Sequence, residues 1–192
     1  VTLPAVGTWT VISGAASIAN ANAPNTSISG FPIGTTVLRW TVNNGPCGTT
    51  SDDVAIRRFD PANPVANAGP DQSICVPVAP NIVTMAGSSV TAPAVGTWTL
   101  VSGGGTIVNA NSPTTQITGL PVGINEFRWT VSNGPCPNGL TNDLVRILVY
   151  NAGNPIADAG PDQSLCTSNG TATMAGSGII VPAVGTWTLV SG

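Results

Sequence analysis

Pro93-Ala94-Val95-Gly96-Thr97-Trp98-Thr99-Leu100-Val101-Ser102-Gly103 decides the fold, because the chain writes it three times. It stands at residues 4–14 with Val11-Ile12 in place of Leu100-Val101, and again unchanged at residues 182–192. The tryptophans Trp9, Trp98 and Trp187 are 89 positions apart both times. A fixed period of that length, with a β-branched and aromatic strand at the same place in each copy, marks an array of like domains rather than one large core.

Working outward from Trp98 gives the unit. A Gly turn at 103–105 leads to a strand near Thr106-Ile107-Val108, a polar loop over 109–113, a strand at 115–118 and a Gly-Leu-Pro-Val-Gly corner at 119–123. A long strand over 125–132 follows, in which Phe127, Trp129 and Val131 alternate with Glu126, Arg128 and Thr130. That period of two belongs to a strand with one face buried and one wet. The first copy repeats it with Leu38, Trp40 and Val42 against Val37, Arg39 and Thr41. An Asn-Gly-Pro-Cys turn (133–136, and 44–47 in the first copy) precedes a closing strand over 144–150.

The unit opens with Asn63-Pro64-Val65-Ala66-Asn67-Ala68-Gly69-Pro70-Asp71-Gln72-Ser73-Ile74-Cys75, which returns as residues 154–166, and continues through a strand at 82–88, matched by 171–177. About seven short strands per unit, separated by Gly, Pro and Asn turns and with no helical periodicity, predict an all-β chain of tandem antiparallel immunoglobulin-like sandwiches. The expected domains are a partial repeat at 1–62 lacking its first strands, a complete one at 63–152, and a partial one at 153–192 holding first strands only. The chain opens and closes inside a repeat, so a longer array is expected around it. The linkers, at 60–62 and 151–153, are short and are followed by Asn-Pro, which limits bending and points to a stiff rod.

Composition narrows the function. The 23 Gly and 17 Pro recur at fixed places in each copy, and an apolar fraction of 42% is that of a folded protein. Five Arg, no Lys and no His against eight acidic residues leave a net charge of −3, without the cation stripe that nucleic acid requires. No apolar run approaches the roughly 18 residues of a membrane span. Catalysis has no imidazole to work with, Glu126 is the lone Glu, and the Gly-rich runs lack the Gly-Lys-Ser/Thr ending of a phosphate loop. No enzyme, catalytic residue or resident cofactor is expected.

Four cysteines occupy two kinds of place: Cys75 and Cys166 in the opening segment, Cys47 and Cys136 in the Asn-Gly-Pro-Cys turn. One of each falls in the complete unit, so a Cys75–Cys136 disulfide is expected. It would close a loop of about 60 residues, adding ~4 kcal/mol in the chain-entropy picture, and would leave Cys47 and Cys166 to pair outside this stretch. A Cys47–Cys75 bridge across the linker, free thiols and a zinc site are the competing readings. Zinc is the weakest, since no His and no Cys-x-x-Cys is present. A disulfide would place the chain in an oxidising compartment.

Calcium is the metal to weigh. Asp52, Asp53, Asp60 and Asp71 lie around one joint, and Asp143, Asp158 and Asp162 around the next, where tandem sandwiches can bind the ion between oxygen ligands. Turn-forming Asp that accepts from its own backbone is the plainer reading. The five tryptophans, Trp9, Trp40, Trp98, Trp129 and Trp187, are expected in the cores, with a sugar-stacking platform as the alternative. Arg39 and Arg128 sit on the wet face. Asn25-Thr26-Ser27 and Asn169-Gly170-Thr171 fit the glycosylation sequon and are read as exposed loops.

The strings Ala-Gly-Pro-Asp-Gln-Ser-x-Cys, Gly-Thr-Trp-Thr-Leu-Val-Ser-Gly, Thr-Gly-Leu-Pro-Val-Gly and Phe-Arg-Trp-Thr-Val-Ser-Asn-Gly-Pro-Cys together span the chain. They resemble the PKD-like, immunoglobulin-like repeats of very large Bacteroidota surface proteins, among them gliding-motility-associated adhesins exported by type IX secretion. The resemblance implies secretion, cell-surface display and a part in adhesion or extracellular filaments. The expected function is a structural, adhesive stalk whose partners are neighbouring repeats, other copies in a filament and an unidentified surface or glycan ligand. The alternatives are an array of carbohydrate-binding modules, and a filament subunit whose partial ends are completed by a neighbour's strand.

Overall fold

A computed structural model describes residues 5–63, 65–76, 81–154, 156–166 and 170–191. Strands make up the regular structure of these residues, apart from one 3₁₀ turn at Gly45–Cys47. The first repeat has five: β1 (Val6–Ser13), β2 (Ser17–Ile18), β3 (Ile28–Ser29), β4 (Gly34–Asn43) and β5 (Thr49–Arg58). The central repeat has seven: β6 (Gln72–Val76), β7 (Val83–Thr84), β8 (Val95–Ser102), β9 (Thr106–Ile107), β10 (Gln116–Thr118), β11 (Gly123–Ser132) and β12 (Leu140–Asn151). No helix among the described residues is long and apolar enough to cross a membrane.

Two layers form in the central repeat, a four-stranded sheet β6-β12-β11-β8 and a three-stranded sheet β7-β10-β9. The first repeat has the same plan with one strand fewer in each layer, β1-β4-β5 and β2-β3. The plan is the immunoglobulin-like sandwich expected from the period and the turns. By contact density the chain divides into two compact units, residues 1–66 with 89–96 and 130–141, and residues 67–88 with 97–129 and 142–192.

Alternation along β11 and β12 builds the core. Phe127 and Trp129 are fully buried, while Arg128 between them is exposed; Val145, Ile147 and Val149 are likewise buried, while Leu144 and Arg146 face out. Met85, Trp98, Ile117 and Leu120 fill the same interior. Trp98 and Trp129 pack with ring centroids 4.9 Å apart and planes at 40°. Each indole N–H donates to a carbonyl, Trp98 to Ser112 (3.1 Å) and Trp129 to Ser88 (3.2 Å), so neither ring strands a polar group. Gly87 is required beneath them, because a Cβ there would stand 2.9 Å from Trp98 Cζ2 and 3.1 Å from Trp129 Cε2. Asn125 closes the Gly103–Gly105 turn from inside: 1% exposed, its Oδ1 accepts from the Gly104 N–H and its Nδ2 donates to the Pro121 carbonyl.

Three expectations are corrected. The segment at 72–76, taken only as a unit opening, is strand β6, and it pairs with β12 in parallel, Ile147 facing Gln72 and Tyr150 facing Cys75. β6 is joined to β7 in the other layer rather than to β12 by a hairpin, so nothing obliges the pair to be antiparallel. That register also separates the expected disulfide: all four cysteines are free thiols. Cys75 lies beside Tyr150 near one end of β12, whereas Cys136 precedes Leu140 at the other, and ten strand residues span about 33 Å, far beyond the reach of a bridge.

The third correction concerns residues 156–191, in whose described part no strand forms, although strands were expected at 171–177 and around Trp187. A strand exists through its ladder, and no paired neighbour for this segment occurs among the described residues. Trp187 is therefore 56% exposed, not in a core, and Met174 is 55% exposed where its counterpart Met85 is 1%. Trp9 and Trp40 are half-buried; they face one another across β1 and β4 with centroids 5.1 Å apart.

Phe127→Ala should destabilise the chain by about 3–5 kcal/mol in urea unfolding followed by tryptophan fluorescence, the cost of removing a fully buried ring. Thiol titration of unreduced, denatured protein should count all four cysteines as reactive, and reduction should leave the intact mass unchanged.

Candidate functional site

The tail of the first repeat is fastened by a small set of side chains, all within the unit formed by residues 1–66, 89–96 and 130–141. Phe59 follows β5, and its ring lies on Gly134, where a Cβ would stand 2.5–2.8 Å from three ring atoms. Gly134 also has φ +57°, so the position demands glycine on both counts. Asp60 turns the chain by accepting from the Ala62 N–H at its Oδ1 (2.8 Å). Its carbonyl accepts from Asn133 Nδ2 (2.9 Å).

Asn63 completes the fastening. Its Oδ1 accepts from the Thr91 N–H (2.8 Å) and its Nδ2 donates to the Thr91 carbonyl (3.2 Å), a backbone-like pair made by one side chain. The same Nδ2 reaches Asn133 Oδ1 (3.1 Å). Asn133 is 4% exposed, and its own N–H donates to the Gly139 carbonyl. Amides suit this place because one group can both donate and accept, which charged side chains of a single sign cannot. Ala66 N–H to Thr141 Oγ1 (2.8 Å) holds the next residues.

Phe59 and Thr91 were not singled out in the sequence, and Asn63, Asn133 and Gly134 entered it only as parts of the unit opening and the turn, yet a signal was there. An aromatic recurs at Tyr150, Asn63 recurs as Asn154, and the Asn-Gly-Pro turn occurs twice. Asn154 repeats part of the pattern, its N–H donating to the Asn151 carbonyl and its Nδ2 reaching the Ile180 carbonyl.

Five of the seven aspartates weighed for calcium have other occupations. Asp53 forms a two-pronged pair with Arg39, directly opposite it across β4 and β5, at 2.7 and 2.9 Å. Asp71 Oδ1 accepts from the Arg146 N–H, Asp143 from the Ala68 N–H, and Asp60 and Asp158 each from a backbone N–H two residues on. Asp52, beside Asp53 on β5, points to the other face of the strand. Among the described residues no three of His, Cys, Asp or Glu gather as a metal would need.

The Arg39 guanidinium, mainly through its hydrogen bond, holds the Asp53 carboxyl below the usual carboxylate range; burial opposes this, and the Arg39 charge adds a lesser lowering effect. Arg128 is exposed, and Arg146 pairs with Glu126 at 3.1 Å. Trp98 and Trp129 turn no face outward, so these two rings offer no surface on which a sugar could stack.

No protein-family model matches the chain, and neither does any curated protein. Among solved structures, one similar chain is the PKD domain from KIAA 1837 protein, 29% identical, with 52% of this chain and 92% of that one covered and a TM-score of 0.39. Another is the human Desmocollin-1 ectodomain, 10% identical, with 85% of this chain and 37% of that one covered and a TM-score of 0.32. The fold assignment rests on the strands and their pairing rather than on these likenesses.

Gly134→Ala and Gly45→Ala both force a side chain into a left-handed backbone, but only the first meets Phe59, since nothing lies within 4 Å of a Cβ at Gly45. In parallel urea titrations Gly134→Ala should lose about 1–3 kcal/mol more than Gly45→Ala, the cost of overpacking. A carboxyl whose pKa is depressed on folding stabilises above the unfolded pKa and loses that contribution as pH falls through the folded one. The NMR titration midpoint of Asp53 should accordingly lie below ~3.9, the value for an unpaired aspartate, and return to it in Arg39→Gln.

Proposed function

We propose that the chain is the structural, adhesive repeat region of a large secreted bacterial surface protein, with domains 1–62, 63–152 and 153–192 acting as stiff extracellular spacers. The observation that carries this is the joint itself. The scaffold is repeated, and its linker is tied down by Phe59, Asn63 and Asn133 rather than left as a flexible tether. Such fastening restricts bending between repeats, which a display stalk needs and a free linker lacks.

The absence of an imidazole in the sequence supports a mechanical rather than catalytic role. The free thiols lend no weight to an oxidising compartment, so surface location and type IX export rest on the likeness of the repeat strings to Bacteroidota adhesins. Neighbouring repeats are the proposed partners.

Protease shaving of intact source cells tests the location. Peptides from residues 63–152 should appear in the supernatant of unbroken cells; their recovery from the broken-cell fraction alone would contradict surface display.

A further inference from the structure

We propose that Asn138-Gly139 is a spontaneous modification site of the folded protein: the Asn138 side chain cyclises onto the Gly139 nitrogen and reopens as aspartate or isoaspartate, and the isoaspartyl form releases the Asn133 N–H from the Gly139 carbonyl. The fold itself puts this pair of residues here. Asn138 has φ +58°, the one positive φ of a residue other than glycine among the described residues, and asparagine is among the few side chains that tolerate that backbone. Gly139 passes so close to Gly134 that a Cβ would run into the Gly134 carbonyl oxygen, and would stand 2.9 Å from that of Cys136. The turn therefore calls for Asn or Gly followed by Gly. Asn-Gly is the pair whose ring closure meets least hindrance, because the attacking nitrogen belongs to a residue with no side chain.

Asn-Gly also occurs at 44–45, 133–134 and 169–170; the last has its asparagine outside the described residues. At 133–134 the reacting amide is tied down. Asn133 is 4% exposed, its Nδ2, the group that would leave, donates to the Asp60 carbonyl (2.9 Å), and its Oδ1 accepts from Asn63 Nδ2 (3.1 Å). At 44–45 the attacking nitrogen is engaged instead, since the Gly45 N–H donates to Asn43 Oδ1 (2.9 Å). Asn138 is exposed, and among the described residues neither its amide nor the Gly139 N–H has a hydrogen-bond partner.

The Gly139 nitrogen bonds to Asn138 Cγ as it loses its proton, and Nδ2 departs as ammonia. Water then adds to either carbonyl of the cyclic imide, and the ring C–N bond at that carbon breaks. Opening at Cγ gives aspartate. Opening at the backbone carbonyl gives isoaspartate, whose main chain runs through Cβ and Cγ and is longer by one methylene. Amide and water become carboxylate and ammonium, with nothing oxidised or reduced. The Gly139 carbonyl accepts from the Asn133 N–H (2.6 Å), so a longer chain just before Gly139 moves that acceptor out of place. The residue it lets go is the one that fastens Asp60 and Asn63.

Storage of the full chain in warm, mildly alkaline buffer, followed by tryptic peptide mass spectrometry, tests this. Cleavage after Arg128 and Arg146 releases residues 129–146 as one peptide that holds both Asn133 and Asn138. Conversion at 138 should outrun conversion at 133 and at 44 by at least about tenfold, because those two react only after a local opening. In urea the three should convert at like rates. Isoaspartyl chains, separated by their added charge, should exchange the Asn133 N–H at least about tenfold faster by NMR than fresh protein does. Asn138→Gly, which suits the left-handed turn and has no amide to lose, should show no change at either place. Equal conversion at 133 and 138 in the folded protein, a spread in urea as wide as in buffer, or unaltered exchange at Asn133 in isoaspartyl chains would overturn the proposal. The spacer reading would survive each of these results, because it does not require the modification.

Discussion

The interior of the sandwich closes only where an opening segment lies across the strand that ends the repeat. In the central repeat Gln72–Val76 runs beside β12 and Met85 is buried in the interior, and Val145, Ile147 and Val149 lose all contact with water. At about 25 cal/mol per Å² of apolar area removed from water, this cover stabilises the sandwich. The same strand chemistry without the cover leaves Val54 and Ile56 exposed in β5. Identical local sequence rules therefore yield a dry core in one repeat and an open face in the other, and the difference is tertiary.

The joint shows how the cover is positioned. The opening segment of the central repeat begins at Asn63, and Asn63 is fastened by its amide to both the N–H and the carbonyl of Thr91. Phe59 on Gly134 and Asn133 on the Asp60 carbonyl fix the residues just before it. These contacts use neutral amides and one ring, so they are indifferent to salt, unlike the exposed Arg39–Asp53 pair, whose attraction is screened. A linker held in this way serves the start of one domain as well as the end of another.

Much of the architecture was legible in the residues. The 89-residue period, the alternation at Phe127 and Trp129 and the Gly and Asn turns gave the strands and their two layers, because side-chain period and turn chemistry are local properties. Strand β6 was not legible: Gln72-Ser73-Ile74-Cys75 is short and polar, and it is a strand because β12 offers an edge. The cysteine pairing failed for a related reason. Two cysteines that fall in the same unit need not be near in space, and the parallel register carries Cys75 to the far end of β12 from Cys136. The Asn63–Thr91–Asn133 cluster was hidden because its members lie up to 70 residues apart in sequence, although the recurrence of Asn63 as Asn154 and of Phe59 as Tyr150 marks the place.

Hydrogen exchange read by mass spectrometry on a dilute solution, about 1 µM, addresses the cover directly, since amides in a closed core exchange only on opening of that core. Residues 143–149 of β12 should stay protected long after residues 52–58 of β5 have exchanged. Equal protection of the two strands at that dilution would contradict the dependence of each core on its opening segment.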